Sequence, residues 1–203
     1  RNRTEPYELS VTQSTEVALG RSLSTHLELE ISNLTRTFEE MRSDKVRQAA
    51  ELIYRAPHVW VLGLGVDEGF ARYVRLLLAR LRHSVMILGI NQGSWAEDLA
   101  MAGPKDALLL ITLPPHQAVL KPILAYAATS RLNVVIVTDR SSMLELQRHS
   151  KVVLPCHAAS FALGPSHTAV ASVLRLLCLT LASIGGQGGE PRAESVAAIP
   201  EEL

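Results

Sequence analysis

The stretch His58-Val-Trp-Val-Leu-Gly-Leu-Gly-Val-Asp-Glu-Gly-Phe-Ala-Arg-Tyr73 constrains the fold more than any other part of the chain. Apolar residues 59–62 run into Gly63 and Gly65, and an amphipathic helical pattern begins directly afterwards. That order reads as a buried strand, a glycine turn and a helix start. In an open parallel sheet such a turn sits at the carboxyl end of a strand, where these folds bind ligands. Glycine lets the backbone approach a bound group and take positive φ, and the first amides of a helix can hold an anion. Here Asp67 and Glu68 occupy that first turn. Two carboxylates suit the helix dipole, but they repel a phosphate.

The rest of the chain repeats the theme. Strands are expected at 58–63, 84–88, 107–113, 133–138 and 151–154, with helices at 68–81, around 94–101, 117–130, 144–149 and 168–184. The run Ala107–Leu113 is unbroken and apolar, as in a strand covered on both faces. Strands separated by helices imply a parallel sheet with right-handed crossovers. The expected fold class is α/β, a three-layer α/β/α sandwich with a five-stranded parallel sheet over 45–185. Hydrophobic residues make up 47% of the 203 positions and aromatics only 4%, so the core must be aliphatic.

Ahead of that domain, Leu23, Leu27, Ile31, Leu34, Phe38 and Met41 are spaced by four, four, three, four and three. That is one apolar stripe on a helix, with Glu28, Asn33, Arg36, Glu39 and Arg42 opposite. We assign 1–13 to a linker or tail, 14–44 to this helical arm and 186–203 to a C-terminal tail. Ser43-Asp44 reads as a break and a new N-cap, with Val46, Ala49, Ala50 and Ile53 facing inward on the helix 45–55. The stripe covers about five turns, more than one domain face requires, which favours packing across a symmetry mate as a homodimer or tetramer. Simple capping of its own domain is the alternative.

Lysine plus arginine and aspartate plus glutamate each count 20, so the formal net charge is zero and no general attraction to nucleic acid or anionic lipid exists. Arg72, Arg75, Arg80 and Arg82 read as a solvated face. Cys156 and Cys178 lack metal-type spacing. No metal or cofactor is expected, no apolar run reaches the ~18 residues of a membrane span, and a reducing cytoplasm is the default compartment. Gly63-x-Gly65-x-x-x-Gly69 is one place too long for a dinucleotide fingerprint, and strand two ends in Leu88-Gly89-Ile90-Asn91 without an acid for a ribose.

The order of features resembles a known family. An amphipathic helix, then Val46-x-x-Ala49-Ala50-x-x-Ile53-x-x-Ala56, then Val-Trp-Val-Leu-Gly-Leu-Gly, is similar to the sugar isomerase (SIS) domain. The similarity is greatest to the version at the carboxyl end of RpiR/MurR-type bacterial transcription regulators. It continues through Gly103-Pro-Lys-Asp-Ala-Leu-Leu-Leu-Ile-Thr112, Ala125-x-Ala127-Ala128, Leu132-Asn-Val-Val-Ile-Val-Thr138, Ser141-x-x-x-Glu145-Leu and Ser150-Lys-Val-Val-Leu, covering about 27–185. The resemblance implies a flavodoxin-like sandwich that binds phosphorylated sugars, with operator DNA read by a separate upstream helix-turn-helix domain. Nothing in 1–45 reads as that domain, and the ragged polar start fits a ligand-binding fragment beginning in an interdomain linker.

The family's phosphate seat is altered here. Its serine after the first glycine pair corresponds to Asp67. Its Ser-x-Ser-Gly-x-Thr loop corresponds to Thr112-Leu113-Pro114-Pro115-His116-Gln117, where only Thr112 keeps a hydroxyl and two prolines remove N–H donors. Two accounts stay open. The pocket is rebuilt for another ligand, neutral or cationic, or it is empty and the domain only dimerises. Candidate ligand-binding residues are Gly63, Gly65, Asp67, Glu68, Ser94, Thr112, His116, Gln117, Thr138 and His167. Ser141 and Ser142 read as caps of the following helix, Trp60 as core, and Trp95 as packing near a pocket mouth. His167 could serve as the base of an aldose–ketose isomerase. No Asp or Glu occurs between Lys151 and Gly189, which excludes a carboxylate base from that segment and argues against an isomerase. The expected function is an effector-binding and dimerisation domain taking a carbohydrate-type ligand, with no catalytic residue and with DNA reached only through an upstream head.

Overall fold

The computed structural model describes residues 16–89, 95–161 and 163–186, and for 16–21 the backbone alone. The expected tail at 1–13, all of the expected tail 186–203 except Gly186, and the candidate Ser94 lie outside the described residues. The elements follow in the order α1 (Glu16–Glu40), α2 (Ser43–Arg55), β1 (Val59–Gly63), α3 (Asp67–Ala79), β2 (Val85–Ile87), α4 (Trp95–Ala100), β3 (Ala107–Thr112), α5 (Leu120–Thr129), β4 (Asn133–Asp139), α6 (Met143–Leu146), β5 (Val152–Cys156) and α7 (Thr168–Gly185). Single 3-10 turns, Arg140–Ser142 and Gln147–His149, flank α6.

The five strands form one all-parallel sheet in the order β2-β1-β3-β4-β5. Period-two alternation divides the core. Val59, Val61, Leu109, Ile111, Val135 and Val137 pack under α2, α3 and α7. Trp60, Leu62, Leu108, Leu110, Val134 and Ile136 pack under α4, α5 and α6. Both faces are covered, which is why β1 and β3 are apolar and buried at every position. The chain leaves β1 toward β2 on one side and returns to β3 on the other. The gap between the carboxyl ends of β1 and β3 is therefore the topological switch point.

Several details differ from the sequence reading. Helix α2 starts with Arg42 at the N-cap and no side-chain cap; Asp44 lies within the first turn and pairs with Arg42 instead. Strand β5 extends through Pro155 to Cys156. Arg82 is not on a solvated face: its guanidinium donates to the carbonyls of Ile53, Ala56 and Pro57 and so satisfies the end of α2, whose last carbonyls have no helical partner. Asp139, not Ser141, caps the turn after β4 by accepting from the Ser141 N–H. Helix α7, with a mean hydropathy of 1.8 over 18 residues, is long and apolar enough to cross a membrane. It instead buries Ala169, Val170, Val173, Leu174, Leu177, Cys178 and Leu181 in the core of this domain.

Helix α1 docks in an unexpected way. Among its described side chains the buried ones are polar: Asn33 and Thr37, at 2% and 1% exposure. The Asn33 side chain exchanges two hydrogen bonds with the backbone of Ala159, and Thr37 Oγ1 accepts from the His157 N–H. Glu30 accepts from Ser166, and Glu40 pairs with Arg140. Of the apolar stripe, Leu34 and Met41 pack on the core, while Leu23, Leu27, Ile31 and Phe38 stay 63%, 59%, 52% and 39% exposed.

Candidate functional site

The switch point is built by close approach. A Cβ at Gly63 would lie 2.2 Å from the Asp67 carbonyl oxygen, so only glycine lets the first turn of α3 sit against the end of β1. Gly65 has φ +64° and lies under the Gln117 side chain, a backbone state that L side chains rarely adopt. These constraints deliver Asp67 to the carboxyl edge of the sheet, at 6% exposure.

There the Asp67 carboxylate is engaged at both oxygens. The Leu113 N–H, just past β3, donates to Oδ2 at 3.0 Å. His167 Nε2 lies 2.7 Å from Oδ1. The other ring nitrogen of His167, Nδ1, lies 3.1 Å from the Pro165 carbonyl oxygen. A neutral imidazole has one N–H, whereas both ring nitrogens here face acceptors. Phe70 stacks on the imidazole with centroids 4.6 Å apart and planes 9° from parallel, a contact that fixes the ring's plane.

Beside this pair opens a cavity of about 270 Å³. Gly65, Asp67, Thr112, Gln117 and His167, five of the sequence candidates, line it together with Leu113, Pro114 and Pro115. The other described candidates are not among its lining residues. Gly63 shapes the turn from below. Glu68 pairs with Arg72 on the outer side of α3. Thr138 is fully buried and donates to the Thr112 carbonyl at 2.6 Å. His116 turns away to a second cavity bounded by α5 and α6. Its Nδ1 meets the Thr112 hydroxyl at 2.9 Å and its Nε2 meets Ser142 Oγ at 3.0 Å. This relay ties the ends of β3 and β4 together and occupies the Thr112 hydroxyl.

Other groups have structural roles. Asp106, at the opposite end of the sheet, accepts from the Gly103 and His58 N–H groups and from Trp60 Nε1, with the His58 ring alongside. Burial opposes its ionisation, but these hydrogen bonds outweigh it and hold its carboxyl below the usual range. Burial pushes both thiols up to about 12, with Asp139 adding to the effect at Cys156. Among the described residues no cluster of three or more His, Cys, Asp or Glu could hold a metal ion.

The structure supplies what the sequence reading missed. No carboxylate lies near His167 in the chain, yet Asp67 brings one to it from 100 positions away. Only the helix-start position of Asp67 and the loop position of His167 were visible beforehand. No local pattern joins them.

No protein-family model matches the chain, and no curated protein matches it by sequence. Solved structures do. The sugar isomerase domain of an RpiR transcription factor from Sphaerobacter thermophilus superposes with a TM-score of 0.76 at 24% identity, over 88% of this chain and 96% of that one. This chain has the sugar isomerase (SIS) domain fold. Other SIS structures agree: Vibrio vulnificus NanR complexed with ManNAc-6P matches with a TM-score of 0.73 at 13% identity, over 89% of this chain and 70% of that one. Phosphoheptose isomerase GmhA from Neisseria gonorrhoeae matches with a TM-score of 0.67 at 14% identity, over 80% and 99%. SIS-fold neighbours thus include both regulators and isomerases.

Proposed function

We propose that this chain is the effector-binding and dimerisation domain of an RpiR-type transcriptional regulator, taking a carbohydrate-type ligand in the cavity at the switch point. The carrying observation is the state of the charged groups in that cavity. Asp67 is held by the Leu113 N–H and His167, and His167 by Asp67 and the Pro165 carbonyl. A general base needs an acceptor aimed at substrate, and both oxygens and both nitrogens are already committed. The arrangement suits recognition better than proton transfer.

The cavity joins the starts of α3 and α7 to the end of β3, so a ligand there bridges elements from opposite ends of the chain. Helix α1 presents Leu23, Leu27, Ile31 and Phe38 outward, and we assign this stripe to a homodimer contact. Because α1 also bonds to the loop 157–166 next to His167, ligand binding can bias how two protomers sit together. DNA contact in such a regulator belongs to a helix-turn-helix head upstream, and the setting is the bacterial cytoplasm.

Thermal-shift screening of a sugar and sugar-derivative panel tests this reading. A ligand at 100-fold excess over its dissociation constant adds about 2.7 kcal/mol, and substitution Gln117→Ala should abolish the shift. A flat response across the panel would leave a dimerisation scaffold. The isomerase reading has one observation in its favour, a histidine–carboxylate pair at a sugar-sized cavity. Aldose-phosphate turnover that disappears in His167→Ala would establish it.

A further inference from the structure

We infer that Asp67 is a built-in anion: its carboxylate occupies the donors that an anionic ligand would need, so the cavity selects an uncharged polyhydroxylated ligand, a sugar or polyol without a phosphate. This rests on the effector-site reading above and sharpens it.

The geometry carries the argument. Of the groups at the cavity, the strongest donors are the Leu113 N–H and His167 Nε2. Both end on Asp67, at 3.0 and 2.7 Å. Pro114 and Pro115, next in the loop, have no N–H to offer. The lining contains no lysine or arginine. An entering phosphate would meet a carboxylate with no unpaired cation to offset it, and would find the Leu113 N–H and His167 Nε2 already taken as it lost its hydration. A cationic ligand fares no better, because both carboxylate oxygens are already engaged by the Leu113 N–H and His167. What remains for a ligand is the exposed Gln117 amide, the backbone around Gly65 and the apolar walls of Leu64, Val66 and Leu163. An exposed amide plus main chain matches hydroxyl groups. At about 270 Å³ the space lies just below the ~300–1,000 Å³ of small-molecule pockets, a size suited to one sugar ring.

Removing the internal anion should free its two donors. Inorganic phosphate is the probe, titrated into the full chain at constant ionic strength and followed by the Leu113 amide and the His167 ring resonances. The unsubstituted protein should show no saturable shift. Asp67→Ser should bind phosphate at least about tenfold more tightly, with both resonances moving together. Asp67→Asn, which removes the charge but keeps the shape and an acceptor for Leu113, should gain phosphate binding read at the His167 ring alone and carries the test if the serine variant fails to fold. Saturable phosphate binding by the unsubstituted protein at Leu113 and His167 overturns the inference, as does a folded variant that gains nothing. Neither result depends on whether a sugar effector is found, so loss of the effector reading is recognised separately, by a flat sugar panel.

Discussion

Asp67 and His167 stand 100 positions apart in the chain and 2.7 Å apart in space. The contact links the first turn of α3 to the residue that precedes α7, and Phe70 closes over it. Their side chains are only 9% and 13% exposed, so solvent screens the pair weakly. Removing His167 leaves the buried Asp67 carboxylate without that partner, which costs about 3 kcal/mol. His167→Ala should therefore lower the unfolding free energy by about 3 kcal/mol in urea titration. Asp67→Asn with His167→Gln should cost less than the sum of the single changes, and strict additivity would show that the two groups do not interact.

The exposed stripe on α1 predicts the assembly state. Leu27 and Ile31 are more than half exposed, so changing both to glutamate should alter the stability of a lone protomer by only about 0.5 kcal/mol each. In a dimer the same change buries charge in an apolar seam. Light scattering after size exclusion at micromolar concentration should give a dimer mass for the unsubstituted chain and a monomer mass for Leu27→Glu/Ile31→Glu. A monomer in both cases removes the dimer from the proposal.

The fold was legible because its signals are local. Short apolar runs placed the five strands and period-3.6 patterns the major helices, and the apolar run Ala107–Leu113 announced a sheet covered on both faces. The site was half legible. Glycine spacing found the switch-point turn, and five of the ten candidates share one cavity. What stayed hidden depends on distant partners. The Thr112–His116–Ser142 relay spends groups that composition alone offers to a ligand. On α1 the periodicity marked the apolar face, but the buried residues are Asn33 and Thr37, because the surface they meet is the backbone of 157–159 with unsatisfied polar groups.

Asp106 should make stability depend on acid. Its carboxyl is held below the usual range in the folded protein, so its contribution is complete above the unfolded value of about 4 and is lost as pH falls through the lower folded value. Asp106→Asn keeps the shape but turns one acceptor into a donor facing N–H groups, costing about 1–3 kcal/mol at neutral pH. The melting temperatures of the two proteins should converge below pH 4. A constant gap across that range would mean that ionisation of Asp106 contributes nothing.

The two thiols should be silent. Cys156 and Cys178 are buried and their pKa values are pushed up to about 12, so the thiolate needed for reaction is scarce. A chromogenic disulfide reagent at neutral pH should titrate neither in the native protein and both in denaturant. Rapid native labelling of Cys156 would contradict the packing of β5 against α7.

Two glycines near the site should respond oppositely to alanine. At Gly63 the new Cβ would meet the Asp67 carbonyl oxygen at 2.2 Å, its carbon at 2.5 Å and the Glu68 nitrogen at 2.8 Å. These are backbone atoms, so relief requires the start of α3 to move away from β1. Gly63→Ala should cost about 3 kcal/mol, at the upper end of overpacking effects, and should shift the Leu113 amide resonance as Asp67 retreats from it. Gly69, inside α3, has nothing within 4 Å of its added Cβ. Gly69→Ala should gain about 0.5–1 kcal/mol, because alanine has less backbone freedom to lose in a helix, and should leave Leu113 unchanged. Equal effects of the two substitutions would mean that the approach of α3 to β1 is not what holds Asp67 at the cavity.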